Sequence, residues 1–461
     1  MSSEMLKVVY SWLGPKGPIW NTEVPNLYSL VNEAEKVKPE TFFYWSDLLW
    51  QNVFKNRKEK WYLWPNSEIT NEDIFVFPYS LHWRIPVERF FMAGSGIIEF
   101  SQMSGHILEH VRNGKGFIII ELAVEAYIDD RILTNMHHYF NGSLHLPMNK
   151  IIYLTGCMNA KQIYDDWCGY KNIPDEPRQR MHVITWPSSQ GIFGRQINQK
   201  FITEPFYDEN YYPEKLFLSF NRRFREHRLN LSIALNKYNL LEKSYWALGK
   251  VDPESPRPFL ENVNIGGYTE LELTDQDVMN LNNKLPFVVD GETDIQKMCV
   301  DQDMETRKFY TNSLVSLVTE TNFREHNVSL TEKSFKPLRE KHPFIIVGSA
   351  NSLSSLRELG FQTFHEFWDE GYDQIQNHYK RLSAIVKLCQ EISQWDINKT
   401  LEFKRKVKPI LEHNFKLIIE KPEAGISQKI AKYIVDQLLL TGKINQQTAN
   451  LMKLNKRLPY I

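Results

Sequence analysis

The sequence predicts an α/β protein of two parallel-sheet domains followed by a basic helical region. Three observations predict it. Short apolar runs alternate with amphipathic stretches through two separate cycles, the pattern of parallel sheets flanked by helices. A polar and aromatic segment, TEPFYDENYYPEK at 203–215, lies between the cycles. The charge also changes sign along the chain: residues 374–461 hold 16 Lys+Arg against 7 Asp+Glu, or +9, leaving −10 on residues 1–373. The expected domains are therefore 1–205, 206–372 and 373–461.

In the first domain the expected strands run from Leu6 to Trp12, Ile74 to Pro78, Gly116 to Leu122, Lys150 to Thr155 and Met181 to Trp186. Each is bounded by Gly, Pro, Asn or Asp. Asn159 is placed to cap a helix reading AKQIYDDWC. The second domain opens with the strand LFLSF after Lys215. It continues through NRRFREHR into the helix LNLSIALNKYNLL and reaches a strand at SYWAL. SLVSLVTE then reads as a strand ending in an acid, TEKSFKPLREK as a helix and PFIIVG as a strand. Ser352 is placed to cap a helix with Leu353, Leu356 and Leu359 at core spacing, closed by Gly360 before a strand FQTF. Helical sequence fills Tyr372 to about Glu420, and two further helices are expected around Thr441-Gly442.

With 461 residues, 42% of them hydrophobic, the chain can build two cores, and a disordered or fibrous class is excluded. The formal charge of −1 gives the whole molecule no bias toward polyanions, so any such surface must be local. The most apolar run, Gly116 to Ile128, is interrupted by Glu121 and Glu125, so no membrane partner is expected. The start, MSSEMLKVVYSW, has no basic and apolar leader pattern, and cytoplasmic residence is expected. Cys157, Cys168, Cys299 and Cys389 form no CxxC, so packed, reduced thiols are expected.

Two constellations carry chemistry. In NRRFREHR, residues 221–228, Arg222, Arg223, Arg225 and Arg228 lie between a strand and the following helix. A helix N-terminus there favours anions, and guanidinium forks suit phosphate oxygens. Strand-to-helix loops at the carboxyl edge of a parallel sheet line ligand crevices, which favours a diphosphate over pairing with structural acids. In ETNFREHNVSLTEKSFKPL, residues 320–338, Glu320 ends a strand and Thr331, Glu332 and Lys333 open a helix. A lysine in a first helical turn opposes the macrodipole unless it serves an external anion, and Glu332 is placed to accept hydrogen bonds from sugar or ribose hydroxyls.

An acid at a strand end, a loop and then T-E-K opening a helix resembles the donor-binding motif of fucosyltransferase-like glycosyltransferases of the GT-B fold. FLSFNRRFREHR, LTEKSFKPL, PFIIVG, LRELGFQTF and FWDEGYD together resemble a group of phage, viral and bacterial glycosyltransferases over roughly residues 150–390. The resemblance implies two Rossmann-like domains facing a cleft, with a nucleoside diphosphate sugar held mainly by the second. It implies that Arg223, Arg228 and Lys333 neutralise the diphosphate, while Glu320 and Glu332 hold the ribose and the donor sugar. Thr321 stands where the fucosyltransferase pattern has Asn, so the resemblance names no donor sugar.

Inverting transfer needs a carboxylate on the acceptor side to take the hydroxyl proton. Glu125 and Glu121, at the end of GFIIIELAVEAY, are the candidates, with Asp129 and Asp130 just beyond. Because cations would stabilise the departing nucleoside diphosphate, no metal is expected to be required. The DQD triplets at 275–277 and 301–303 lie in polar, loop-like sequence. His106, Glu109 and His110 spell H-x-x-E-H, a zinc-hydrolase pattern, which a chain of 13 histidines also produces by chance.

The favoured acceptor is a hydroxymethylated or hydroxylated cytosine in phage DNA, which would place the enzyme in a host cell cytoplasm. The basic tail, with Lys429, Lys432, Lys443 and Lys453, is the expected phosphate-gripping arm. Two alternatives stand beside it. One is a glycosyltransferase acting on a surface or capsid glycan. The other is a nonenzymatic nucleic-acid-binding protein on a Rossmann-like scaffold, which would bind without turning over a nucleotide sugar.

Overall fold

The apolar runs become two sheets, each parallel throughout. The computed structural model describes residues 6–10, 62–65, 70, 72–80, 105–122, 128–187, 208–221, 223–251, 258–289, 307–420 and 426–449. β1 (Leu6–Tyr10), β2 (Tyr62–Pro65), β3 (Ile74–Ser80), β4 (Gly116–Leu122), β5 (Ile151–Thr155) and β6 (His182–Thr185) form one sheet, ordered β2-β1-β3-β4-β5-β6. β7 (Lys215–Asn221), β8 (Ser244–Leu248), β9 (Ser313–Thr319) and β10 (Phe344–Val347) form the other, ordered β10-β9-β7-β8. The principal helices are α1 (Gly105–Asn113), α2 (Asp130–His137), α3 (Ala160–Tyr170), α4 (Glu226–Lys237) and α5 (Asp275–Lys284), then α6 (Glu332–Arg339), α7 (Ser352–Glu358), α8 (His378–Ser393), α9 (Ile397–Glu420) and α10 (Ile426–Leu440).

The chain divides into two units: residues 1–186 with 423–461, and residues 187–422. Both α/β bodies expected from the alternation are present. The residues expected as a separate basic region, 373–461, instead divide between them. α8 and α9 belong to the second unit and α10 to the first.

In the first unit β4 is buried along its whole length because both faces of the sheet are covered. Ile118, Ile120 and Leu122 pack with Leu133, Tyr164 and Trp167 on one side. Phe117 and Ile119 pack on the other with Ile430, Ile434 and Leu438 of α10. The spacing of Ile426, Ile430, Ile434 and Leu438 gives α10 an apolar stripe, which explains why this segment returns to a sheet over 200 residues upstream. Tyr433 secures it, stacking on His182 with centroids 3.7 Å apart and donating from its hydroxyl to Asn149 O at 2.9 Å. The helix stops at the turn expected from Thr441-Gly442. Gly442 takes φ 65°, and Lys443 N closes back on Leu438 O.

Several local expectations are corrected. FQTF forms no strand: Gln362 gives its N–H to Asn414 Oδ1 and accepts from Asn414 Nδ2, while Phe364 N donates to Glu370. A side-chain amide of α9 and a buried carboxylate satisfy the backbone that a neighbouring strand would have paired. Asn159 does not cap α3 with its side chain, whose Oδ1 accepts instead from Cys157 Sγ at 3.1 Å. Asn351 in the left-handed region (φ 70°), rather than Ser352, precedes α7. The strand β2 has no counterpart in the sequence reading.

Three buried histidines, with the half-buried His182, predict acid sensitivity. Burial lowers His137, His182 and His342 to about 4 and His227 well below the ordinary value of 6.5. The folded state therefore binds fewer protons than the unfolded chain once the pH drops below about 6.5, and stability falls from there toward pH 4. Thermal midpoints recorded from pH 7.5 to pH 5 are expected to decline. A flat profile would contradict the neutral, buried imidazoles.

Candidate functional site

The order β10-β9-β7-β8 places β7 beside β8 on one side and β9 on the other, so the winding reverses between β7 and β9. At such a switch point the loops leaving two adjacent strands run to opposite faces, opening a crevice at the carboxyl edge. Buried polar groups lead toward that edge. Ser219 Oγ donates to Leu317 O (2.8 Å), Asn221 Nδ2 to Ser219 Oγ (3.2 Å) and Thr319 Oγ1 to Asn221 Oδ1 (2.7 Å).

Glu320, fully buried, follows β9 directly. Its Oε1 accepts from Thr331 N (2.9 Å) and Ser334 Oγ (2.6 Å). Its Oε2 accepts from Thr331 Oγ1 (2.6 Å) and Thr321 N (3.3 Å). Both oxygens thus pin the start of α6 to the end of β9. The expectation that Glu320 holds ribose or sugar is corrected to that of a latch, since its acceptor capacity is spent on the protein.

Arg228 is similarly committed. It is 3% exposed, and Nη2 donates to Thr319 O (2.9 Å) and Glu320 O (3.2 Å), while Nη1 donates to Arg223 O (3.2 Å). His227 shares a hydrogen bond with Glu320 O at 2.9 Å and stacks on Phe323. These contacts bring the β7–α4 and β9–α6 loops together at one place. Arg223 is half-buried and Arg225, immediately before α4, is exposed. Arg222 lies outside the described residues.

Thr331 caps α6, accepting from Lys333 N, as the sequence implies. Lys333 Nζ contacts Glu332 Oε1 at 2.6 Å and Thr331 Oγ1 at 3.2 Å. Burial pushes the Glu332 carboxyl up, but the Lys333 ammonium, with Lys336 behind it, outweighs that and holds it at about 2. Glu332 is an anion at neutral pH, with oxygen left to accept from hydroxyls, and Lys333 is half-buried beside it.

Sequence reasoning missed Arg381 and Asp373. Arg381 is 2% exposed and donates to the carbonyls of Gly348, Ile375, Gln376 and Phe323, with its guanidinium 4.6 Å from the Phe323 ring centroid. It ties the β9 and β10 loops to the approach to α8. Asp373 accepts from Leu353 N (2.9 Å) and Ser354 N (3.1 Å), so α7 is capped by a carboxylate from a distant loop. A buried arginine that serves only backbone has no sequence signature, because its partners are not side chains.

The remaining candidates lie in the first unit. Glu121 is 4% exposed at the carboxyl end of β4, in register with Ser80 and Leu154. Glu125 and Lys453 lie outside the described residues. Asp129 caps α2 through Ile132 N, and Asp130 pairs with Lys171 (2.9 Å) and Trp167 Nε1 (2.9 Å), so both have structural work. Lys429, Lys432 and Lys443 are exposed. Glu109 of the H-x-x-E-H motif bonds Arg112 and Asn113 of its own helix, His110 is buried, and the His106 side chain lies outside the description. Asp277 of the first DQD closes a capping box with Thr274 at α5. Among the described residues no group of three or more His, Cys, Asp or Glu could hold a metal ion, and no helix is long and apolar enough to cross a membrane.

No family model matches the chain, and no curated protein matches its sequence. Among solved structures it is similar to an alpha,alpha-trehalose-phosphate synthase (UDP-forming) from Burkholderia vietnamiensis, at 10% identity and a TM-score of 0.41, over 82% of this chain and 76% of that one. It is also similar to an alpha,alpha-trehalose 6-phosphate synthase from Burkholderia multivorans, at 9% identity and a TM-score of 0.38, over 81% and 74%. A likeness of that degree assigns this chain neither substrate nor activity.

Proposed function

We propose that the chain is a glycosyltransferase of GT-B type, which binds a nucleoside diphosphate sugar at the switch point of its second unit and moves the sugar to an acceptor hydroxyl. The observation that carries this reading is the convergence of an arginine-rich β7–α4 loop and the Thr331–Lys333 helix start at one sheet edge. The first suits a diphosphate and the second offers a cation beside a carboxylate, a pair matched to a phosphate next to hydroxyls. In this reading Lys333, Arg223 and Arg225 stabilise the charge that develops on the leaving diphosphate. Glu332 orients donor hydroxyls, while Arg228 and Glu320 hold the loops. Glu121, within β4, or Glu125, which follows that strand in the sequence, takes the proton from the acceptor and gives inversion. With cations in the metal's usual role, transfer is expected to persist in EDTA.

Lys333→Ala and Arg225→Ala are each expected to weaken donor binding by roughly 10-fold to 100-fold, since a charge-assisted hydrogen bond is worth about 1.5 to 3 kcal/mol. Calorimetric titration against a panel of UDP, GDP and TDP sugars measures this. Wild-type affinity in both variants would remove the donor site from this edge. Binding of a nucleotide sugar without any turnover, together with tight DNA binding, would favour the nonenzymatic alternative.

The proposed acceptor is a hydroxymethylated or hydroxylated cytosine in DNA, and the exposure of Lys429, Lys432 and Lys443 supports it. The burial of the opposite face of α10 supports the other acceptor, a surface or capsid glycan, because it gives the tail a structural reason to exist. Salt separates the two. Phosphate contacts make affinity fall with ionic strength by a log–log slope of about 0.9 per neutralised phosphate, and a neutral glycan has no such field. Reversing Lys429, Lys432 and Lys443 to Glu is expected to flatten that slope by about 1 to 3 on duplex DNA. An unchanged slope, with no sugar added to modified DNA, would leave the glycan.

A further inference from the structure

The amino-terminal edge of the first sheet gathers three cations, Lys150, Arg178 and Lys443. Lys150 ends the 148–150 turn directly before β5, is 6% exposed, and donates from Nζ to Gly114 O at 3.1 Å. Its ammonium also lies 4.2 Å from the centroid of the Phe117 ring. Arg178 lies in the 177–179 turn that leads toward β6, and the register Ile152↔His182 brings that turn beside the start of β5. Lys443 arrives with α10. Tyr433 and Gln437 of that helix bond Asn149, the residue before Lys150, and Gly442 turns the chain so that Ile444 packs on the cluster containing Phe117 and Ile152.

A buried ammonium is normally matched by a carboxylate as well as by hydrogen bonds. Among the described residues Lys150, Arg178 and Lys443 form no ion pair. Asp175, in the segment before Arg178, pairs with Arg180 instead, at 3.3 Å. Burial first, then the charges of Lys443 and Arg178, lower the Lys150 ammonium to about 8. Of its three N–H donors one goes to Gly114 O, so donor capacity remains. The fold thus brings like charges together from three separate segments, at a cost that an anion among them would reverse.

We propose that Lys150, Arg178 and Lys443 form a site for a phosphate group, which the recessed ammonium and the two exposed side chains engage together. The site does not rest on the donor reading: it lies in the other unit, and at the amino-terminal rather than the carboxyl edge of its sheet. It is complete only when α10 is docked, because Lys443 comes with that helix. The phosphate is a free ion or the terminal group of a small molecule. One inside a duplex backbone is held at the polymer's surface and does not reach a recessed ammonium.

The test is calorimetric titration of the full chain with inorganic phosphate and with a monoester, phenyl phosphate, at constant ionic strength. Lys150→Met, which keeps an apolar stem over Phe117, is expected to weaken binding by about 10-fold to 100-fold, as for one charge-assisted hydrogen bond. Arg178→Ala and Lys443→Ala are each expected to cost about 2-fold to 5-fold, the worth of an exposed ion pair. Both residues are exposed, so these two variants carry the test if Lys150→Met fails to fold. Lys333→Ala, in the second unit, is expected to bind phosphate as the wild type does. Monoester binding at least as tight as that of inorganic phosphate identifies a phosphorylated small molecule as the ligand, and weaker binding identifies the free ion.

Wild-type phosphate affinity in all three cluster variants would overturn the site. So would a loss confined to Lys333→Ala, which would move the anion to the second unit. A wild type that binds neither phosphate would overturn it too, and a loss of duplex-DNA affinity in the cluster variants would then give these cations to the DNA reading.

Discussion

Glu320→Ala is expected to lower the unfolding free energy of the protein by about 3 to 5 kcal/mol, a loss at the upper end of what single substitutions produce. The carboxylate has no water to turn to, and its two oxygens accept four hydrogen bonds, from Thr331 N, Thr331 Oγ1, Ser334 Oγ and Thr321 N. Truncation leaves the buried Ser334 Oγ and the half-buried Thr331 and Thr321 donors without that acceptor and opens a void at the junction of β9 and α6. Glu320→Gln keeps one acceptor oxygen and is expected to lose less, because its amide group faces donors with which it cannot pair. Urea denaturation of the three proteins tests the order. An alanine variant within about 1 kcal/mol of the wild type would contradict the latch, because that is the ordinary net worth of a single hydrogen bond. A carboxylate whose main work is to hold a ligand would instead cost binding while sparing stability.

Loss of the acceptor-side base should have the larger kinetic effect. Glu125→Gln or Glu121→Gln is expected to reduce turnover by about 100-fold to 10,000-fold, the usual contribution of general-base catalysis, with donor affinity almost unchanged. Glu121 is buried at the end of β4, where a carboxylate persists only if it is hydrogen-bonded or poised for chemistry. The two roles separate by stability: Glu121→Gln should destabilise the first unit if Glu121 is structural, and leave it intact if it is the base. Full activity in both variants would place the base elsewhere. Asp129 and Asp130 are then the next to test, although the first caps α2 and the second pairs with Lys171.

The runs around Ile118, Ile152 and Val315 are legible because a strand covered on both faces must be apolar throughout, and their shortness and flanking turn residues separate them from buried helix. T-E-K was legible for a similar reason: Thr331 caps α6, and its hydroxyl marks where the helix must start. FQTF misled because its composition is that of a strand, while the groups that satisfy its backbone, Asn414 and Glu370, lie far away or across a turn. The arginine loop was found, but its residues could not be sorted. That Arg228 supports carbonyls depends on a contact with Thr319, 91 positions away, that no local spacing encodes. The lysines mark the tail as basic, but the isoleucines between them decide where α10 goes.

The return of α10 to the first sheet also sets an order of assembly. Residues 187–422 are a continuous stretch, and a ribosome delivers all of their partners in one pass. The first unit is an interrupted body: its sheet leaves the ribosome early, but the helix that covers Phe117, Ile119 and Ile152 is made only after the whole second unit. For most of synthesis that apolar face lacks α10, and a chain that terminates near residue 422 never acquires it. Nascent chains of that length should therefore engage holdase chaperones through their first unit while their second unit resists protease. A peptide carrying α10, residues 426–440, supplied separately, is expected to pack on that face in trans.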